Sequence, residues 1–102
     1  MITALLQTRL PEPVSHEQAV AMFRKTAPNY QGKDGLIRKY YLLTEDRHSV
    51  GGVYLWESRE QAEQVYTDEW RETVKQNFGD YPSLVYFDTP LVVDNLLGEV
   101  IE

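Results

Sequence analysis

Apolar residues recur along the chain with two different spacings, and together they predict four strands and two helices. Short runs rich in aromatic, aliphatic and β-branched residues are typical of strands. Such runs fall at residues 2–9 (ITALLQTR), 35–45 (GLIRKYYLLTE), 49–57 (SVGGVYLWE) and 82–88 (PSLVYFD). Between them, apolar residues at spacings of three and four predict one helix after residue 15 and another after residue 58.

Local signals set the expected ends of these helices. Ser15 and Ser58 are each followed three residues later by a glutamine, which is the pattern of a capping box. We expect the first helix to end near Pro28 and the second to run unbroken to Gly79. The order βαββαβ predicts a ferredoxin-like α+β fold with a four-stranded antiparallel sheet, in one domain over residues 1–102.

The predicted sheet is apolar on both of its faces. In the second strand one face would carry Leu36, Arg38, Tyr40 and Leu42, and the other would carry Ile37, Lys39, Tyr41 and Leu43. Two helices cover only one face, and a monomer rarely exposes a large apolar patch. We therefore expect a second copy to pack sheet to sheet as a homodimer, and the apolar tail at 89–102 to dock as a helix, on the partner copy.

Two adjacent glycines, Gly51 and Gly52, stand near the start of the third strand. Glycine weakens a strand unless the strand bends there or another group approaches closely. We expect a bulge at this pair, which would bend the strand. Clearance for a ligand is the alternative.

Charge and composition narrow the classes of function. The net charge of −6 argues against nucleic acids and anionic membranes as partners. The chain has no cysteine, so disulfides, thiolate catalysis and iron–sulfur clusters are excluded. No apolar run approaches the length that spans a bilayer, and the first residues lack the features of a signal peptide, so we expect a cytoplasmic protein.

One block of the sequence carries a family resemblance. The segment GLIRKYYLLTEDRHSVGGVYLW, followed by Phe87, Asp88, Pro90 and Leu91, resembles the YdhR-type monooxygenase family of the dimeric α+β barrel superfamily. The features that carry it are Gly35, Lys39, Tyr41, Glu45, His48, Gly51, Gly52 and Tyr54. The resemblance implies a dimeric barrel, a pocket between the helices and the sheet, and an activity like that of cofactor-free antibiotic-biosynthesis monooxygenases.

An oxygenase of this kind needs a source of single electrons, because ground-state dioxygen reacts slowly with ordinary organic molecules. The chain has two histidines that are distant in sequence, no metal-binding triad and no dinucleotide-binding glycine motif. We therefore expect no cofactor and no metal, with an electron-rich aromatic or polyketide-like substrate providing the electrons. The protein would supply a dry aromatic pocket, a base and hydrogen-bond donors.

The candidate catalytic residues are His48, Lys39 and Tyr54. His48 could act as a base. The alternative is that the polar segment 45–49 (EDRHS) is a solvated turn in which His48 has no catalytic role. Lys39 could hold an enolate, or it could be an edge charge that opposes aggregation.

Aromatic side chains are the candidates for binding the substrate, and filling the core is their usual role instead. We expect Tyr54 and Trp56 to face opposite sides, so that at most one of them lines a given pocket. The candidate substrate-binding residues are Phe23, Tyr40, Trp56, Tyr66, Trp70 and Tyr86.

Two other functions fit the same residues. An isomerase or decarboxylase of activated carbonyl compounds would need the same base and donors without oxygen. A non-catalytic dimer that binds a small apolar or aromatic ligand would need neither His48 nor Lys39.

Overall fold

A computed structural model, which describes residues 1–102, confirms the ferredoxin-like α+β fold. Four strands form one antiparallel sheet in the spatial order β2-β3-β1-β4: β1 (Ile2–Arg9), β2 (Leu36–Leu43), β3 (Ser49–Trp56) and β4 (Ser83–Asp88). The helices are α1 (His16–Tyr30), α2 (Arg59–Val65) and α3 (Asp68–Phe78), and a small second sheet pairs β5 (Val92–Asp94) with β6 (Glu99–Ile101). None of the helices has the length and apolar character needed to cross a bilayer.

The core lies between the central strands and α2. In β1 and β3, Ala4 pairs with Tyr54 and Ile2 pairs with Trp56, so their side chains share the face that the helices cover. Ala4, Tyr54 and Trp56 form a buried cluster with Leu6 and with Ala62 of α2. Within it the indole Nε1 of Trp56, which is fully buried, donates a hydrogen bond to the Tyr66 hydroxyl at 3.0 Å.

The first helix begins as its capping pattern predicts. The Ser15 side chain accepts from the Gln18 backbone N–H, and the Gln18 side chain accepts from the Ser15 N–H, so both halves of the box are present. The helix runs on past Pro28 to Tyr30, two residues further than expected. Proline removes one backbone donor, and the helix ends two residues after it.

The second predicted helix is two helices, which corrects the expectation of an unbroken one. The backbone leaves the helical region at Tyr66, and the Thr67 side chain accepts from the Trp70 N–H at 3.1 Å to start α3. Asp68 and Glu69 in the first turn of α3 favour a helix start there because of the helix dipole. Gly79 ends α3 in the left-handed conformation, as expected.

The tail is a β-hairpin, so the expectation of a C-terminal helix was wrong. Asp94 accepts hydrogen bonds from the backbone N–H groups of Leu96 and Leu97, both at 3.0 Å, and Gly98 has a positive φ of 68°. These contacts make a tight turn. Asp94 also pairs with Arg38 of β2 at 2.5 Å, which anchors the hairpin to the outer face of the main sheet.

A bulge does occur in the sheet, but in β2 and not at the glycine pair. The register between β2 and β3 shifts between Leu36 and Arg38, which makes Ile37 the extra residue. Leu36 pairs with Trp56 and Lys39 pairs with Tyr54, so both belong to the helix-covered face despite an odd separation. The expectation that Leu36 shares a face with Arg38 was therefore wrong.

The glycine pair does not form a bulge, because its register is unbroken with both neighbouring strands. The two glycines instead allow neighbouring groups to approach the backbone closely. A Cβ at Gly51 would lie 2.1 Å from the Leu6 carbonyl oxygen. A Cβ at Gly52 would lie 2.8 Å from Cε1 of Tyr54 and 3.3 Å from Cε of Lys39. Gly52 thus leaves the space that the Lys39 side chain and the Tyr54 ring occupy.

The face of the sheet away from the helices stays apolar and open in the single chain. Tyr40 is 53% exposed and Phe87 is 52% exposed, and Leu42 and Val85 are also exposed on this face. The expected second copy and the expected cytoplasmic location stay predictions.

Removing the Tyr66 hydroxyl should destabilise the fold. In Tyr66→Phe the buried Trp56 N–H loses its acceptor, which should lower the free energy of unfolding by about 1–3 kcal/mol. Tyr86→Phe is the matched control, because the Tyr86 hydroxyl makes no hydrogen bond within the chain and should change stability by less than about 0.5 kcal/mol. Urea unfolding of both variants measures the difference, and equal losses would contradict this account of the core.

Candidate functional site

A cavity of about 180 Å³ lies between the sheet and helices α1 and α3. The sheet forms its floor with side chains of β1, β2 and β3, among them Leu6, Lys39, Tyr41 and Tyr54. The two helices form its walls, mainly with Phe23, Thr26, Tyr30, Trp70, Val74 and Phe78. The cavity is therefore largely apolar and aromatic, as small-molecule sites usually are.

Polar residues mark the mouth of the cavity. Asn29 of α1 and Thr73 of α3 both line it, and both are exposed to solvent. The cavity therefore meets solvent beside these two residues. Neither an aspartate nor a glutamate lines the cavity, and Lys39 is its one lysine or arginine.

The Lys39 ammonium group sits among three tyrosine rings. Its Nζ lies 3.7 Å from the ring centroids of both Tyr30 and Tyr41, and 4.4 Å from that of Tyr54. The rings come from α1, β2 and β3, so three separate elements converge on this one atom. No carboxylate lies within salt-bridge distance of Lys39, and Nζ has no hydrogen-bond acceptor within the chain.

Two opposing effects act on the charge of Lys39. Ring faces attract an ammonium through their quadrupoles. Burial without a counter-charge removes the water that would otherwise solvate the ammonium. Burial lowers the pKa of Lys39 from its usual 10.5 to about 7. At neutral pH the amine is thus a mixture of its charged and neutral forms.

Tyr41 and Tyr54, two of the three tyrosines around Lys39, keep their protons. Burial raises the pKa of Tyr54, and the neighbouring Tyr30 adds to that effect. Burial likewise raises the pKa of Tyr41, whose hydroxyl shares a 2.7 Å hydrogen bond with Oγ1 of Thr26. These hydroxyls are therefore suited to donating hydrogen bonds and not to accepting a proton.

The structure brings together four of the residues singled out from the sequence. Lys39, Tyr54, Phe23 and Trp70 all line the cavity. Their roles in binding or catalysis stay predictions. Phe23 stacks on Tyr41 with ring centroids 4.7 Å apart, which closes one side of the site.

Three other candidates, Trp56, Tyr66 and Tyr86, pack in the aromatic core and do not line the cavity. Trp56 and Tyr54 lie on the same face of β3, with nearly parallel rings whose centroids are 6.4 Å apart. The expectation that they face opposite sides was therefore wrong, because residues two apart in a strand share a face. Tyr66 lies behind Tyr54 and bonds Trp56. Tyr86 lies further along the same cluster, under the Arg59 guanidinium at 4.3 Å.

Tyr40 and His48 lie apart from the cavity. Tyr40 is on the outer face beside Arg38, because side chains alternate along β2 after the bulge. His48 is in the β2–β3 hairpin, where its carbonyl accepts from the Leu10 N–H at 2.7 Å. Its Nδ1 is buried without a partner and does not reach the cavity. The structure thus does not place His48 with Lys39 and Tyr54.

Sequence reasoning missed Tyr41 and Asn29 as lining residues. Tyr41 follows Lys39 by two positions, and this separation puts both on one face of β2. Asn29 lies three residues after Thr26, a spacing that puts both on one face of α1. The described chain holds no group of three or more histidine, aspartate or glutamate side chains placed to bind a metal ion.

Replacing Lys39 should stabilise the protein at low pH. Below pH 7 the folded state holds the ammonium in the cavity, and this unfavourable contribution is relieved as pH rises from about 7 towards 10.5. Lys39→Met keeps the bulk without the charge, so it should raise the free energy of unfolding at pH 6 by about 1–2 kcal/mol, allowing for partial solvent screening. The gain should shrink by pH 10.

Urea unfolding at the two pH values measures this effect. Lys33→Met, at an exposed position, is the control and should show no such pH dependence. A wild-type protein more stable than Lys39→Met at pH 6 would contradict the description of the site.

The comparison with solved structures shows that the fold is shared with oxygenases. A variant of SnoaB, a cofactor-independent oxygenase from Streptomyces nogalater, has a TM-score of 0.64 at 12% identity, covering 90% of this chain and 95% of that one. The monooxygenase from the gene ActVA-Orf6 of Streptomyces coelicolor, in complex with nanaomycin D, has a TM-score of 0.66 at 16% identity and covers 86% of each chain. At these identities the likeness concerns the fold alone.

A family model gives the closer assignment. No curated protein sequence matches the chain. The family described as "Putative mono-oxygenase ydhR" matches residues 5–80, which include every residue that lines the cavity except Pro82. The chain therefore belongs to the ydhR mono-oxygenase family, as its central block suggested.

Proposed function

We propose that this protein is a cofactor-free monooxygenase that oxidises a small, electron-rich phenol or enol, of the aromatic or polyketide-like kind, in the cavity between α1, α3 and the sheet. Membership of a monooxygenase family supports the reaction class. The observation that carries the finer proposal is Lys39, a partly neutral amine that is the cavity's one basic group among aromatic walls.

The size of the cavity favours a compact ring. Apolar cavities of about 150 Å³ take up molecules the size of benzene. A cavity of about 180 Å³ therefore suits one aromatic ring, with further substituents extending towards Asn29 and Thr73 at the mouth. The solved relative with bound nanaomycin D supports a small-molecule site on this fold.

Lys39 is suited to be the base. Its neutral amine would take the proton of the substrate hydroxyl, and the resulting ammonium would lie beside the phenolate or enolate. The anion would give one electron to dioxygen, and the two radicals would combine to form a carbon–peroxide bond. Loss of water from the peroxide would leave a new carbonyl, so that one oxygen atom enters the product and the other leaves as water. Tyr54, which keeps its proton, would donate a hydrogen bond to the developing anion.

The proposal includes a homodimer that covers the outer face of the sheet. Tyr40, Leu42, Val85 and Phe87 give this face a broad exposed apolar surface, and burying about 800 Å² on each copy is typical of a stable pair.

Oxygen consumption tests the proposed reaction. With a panel of electron-rich phenols and enols, at least one substrate should give oxygen uptake, and Lys39→Met should lower the rate by about 100-fold or more. The rate should rise with pH through about 7, because only the neutral amine accepts a proton. Lys33→Met should keep the wild-type rate.

The same panel without oxygen separates the rival reaction. Turnover under argon would indicate an isomerase or a decarboxylase. No oxygen uptake with any member of a broad panel would overturn the proposal.

Light scattering tests the dimer separately. The chain has a mass of 11.9 kDa, so a homodimer should scatter as a particle of about twice that mass. Val85→Glu should split it by burying a charge in the interface, whereas Gln64→Glu on α2 should not. A wild-type particle of the monomer mass at micromolar concentration would contradict the dimer.

A further inference from the structure

We infer that Lys39 is also a nucleophilic amine, and that the cavity captures small aromatic aldehydes as a Schiff base on its Nζ. This chemistry needs no oxygen, so it goes beyond the proposed monooxygenase reaction. It uses the same cavity, and it does not depend on whether the protein is a monooxygenase.

The first support is that Nζ is unpaired inside a cavity. Both ion pairs of the chain involve arginine, and Lys39 belongs to neither. With no carboxylate beside it and no hydrogen bond to hold it, the amine is free to present its lone pair to a molecule in the cavity. Burial also lowers its pKa, which provides neutral amine at pH 7.

The second support is the shape of the surroundings. The ring faces of Tyr30, Tyr41 and Tyr54 lie within 4.4 Å of Nζ, so a flat aromatic molecule can stack on a ring while its carbonyl carbon approaches the nitrogen. Gly52 contributes by leaving space for the lysine side chain, since a Cβ there would lie 3.3 Å from Cε of Lys39.

The step balances without any added oxidant or reductant. The lone pair of Nζ attacks the carbonyl carbon, so a carbon–nitrogen bond forms as the π bond of the carbonyl breaks, and one proton passes from the nitrogen to the oxygen to give a carbinolamine. The carbinolamine then loses its hydroxyl together with the second proton of the nitrogen as water, and a carbon–nitrogen double bond remains. Tyr54 has the protonated hydroxyl that can donate to the oxygen during this step.

The chain provides a matched comparison for Lys39. Lys75 also lies over a tyrosine ring, with Nζ 4.5 Å from the centroid of Tyr81, but both residues are exposed. Lys25 and Lys33 are exposed as well. A ring alone therefore does not make the site: burial in the cavity distinguishes Lys39.

Reductive trapping tests the inference. The full chain is incubated with benzaldehyde and sodium cyanoborohydride at pH 7 under argon, and peptide mapping by mass spectrometry follows each lysine and the α-amino group separately. Lys39 should be benzylated at least about tenfold faster than Lys25, Lys33 or Lys75. An amine whose pKa is lower by one unit has about ten times more of its neutral, reactive form at pH 7. Lys39→Arg should abolish that adduct, and Lys75→Arg should leave it unchanged.

Competition keeps the test decisive if Lys39→Arg does not fold. Benzyl alcohol, which lacks the carbonyl, should slow trapping at Lys39 of the wild-type protein without slowing it at Lys75. Similar trapping rates at all four lysines, or no protection by benzyl alcohol, would overturn the inference. Oxygen uptake plays no part in either readout, so a failed monooxygenase assay and a failed trapping experiment are distinct results.

Discussion

The candidate site depends on one uncompensated charge, the ammonium of Lys39 among the rings of Tyr30, Tyr41 and Tyr54. Elsewhere in the chain, buried charge is matched: Asp94 pairs with Arg38 and also accepts two backbone hydrogen bonds. At Lys39 the chain offers only ring faces, so the amine can give up its proton near neutral pH. A group with this property in a cavity is a common feature of functional sites.

Several parts of the fold are explained by the need to place that amine. The bulge at Ile37 sets the register that turns Lys39 towards the helices and Arg38 towards the tail hairpin. Gly52 has no side chain and so leaves the space that the Lys39 side chain occupies. The Trp56–Tyr66 hydrogen bond lies behind Tyr54 in the core, where it fixes the aromatic cluster against which Tyr54 rests.

The sequence predicts the four strands and their order along the chain, because short apolar runs, the Ser15 cap and the Gly79 stop are local signals. The central block of residues 35–56 indicates the family. The break at Tyr66 was also signalled locally, by Thr67 followed by two acidic residues, but a continuous apolar stripe outweighed that signal. The tail was predicted to be a helix because its apolar pairs, at 92/93, 96/97 and 100/101, are four residues apart. The same pairs also fit a hairpin, in which 92/93 and 100/101 lie on the two strands and 96/97 lie in the turn. The bulge at Ile37 has no glycine or proline to mark it, and pairing with β3 determines it.

Knowledge of the site from the sequence was limited in the same way. Lys39 and Tyr54 could be identified as candidates by residue type and resemblance. Which aromatic residues surround the lysine depends on how α1 and α3 pack on the sheet, and no short motif encodes that.

The most direct test of the account is the titration of Lys39 itself. In protein labelled with ¹³C and ¹⁵N at lysine, the Cε and Nζ resonances of Lys39 can be followed from pH 5 to 11, with the three exposed lysines as internal references and Lys39→Arg for assignment. The account predicts a midpoint near 7. A midpoint at the ordinary lysine value of 10.5 would contradict it, because the amine would then be solvated or paired and could not be the neutral base of this cavity.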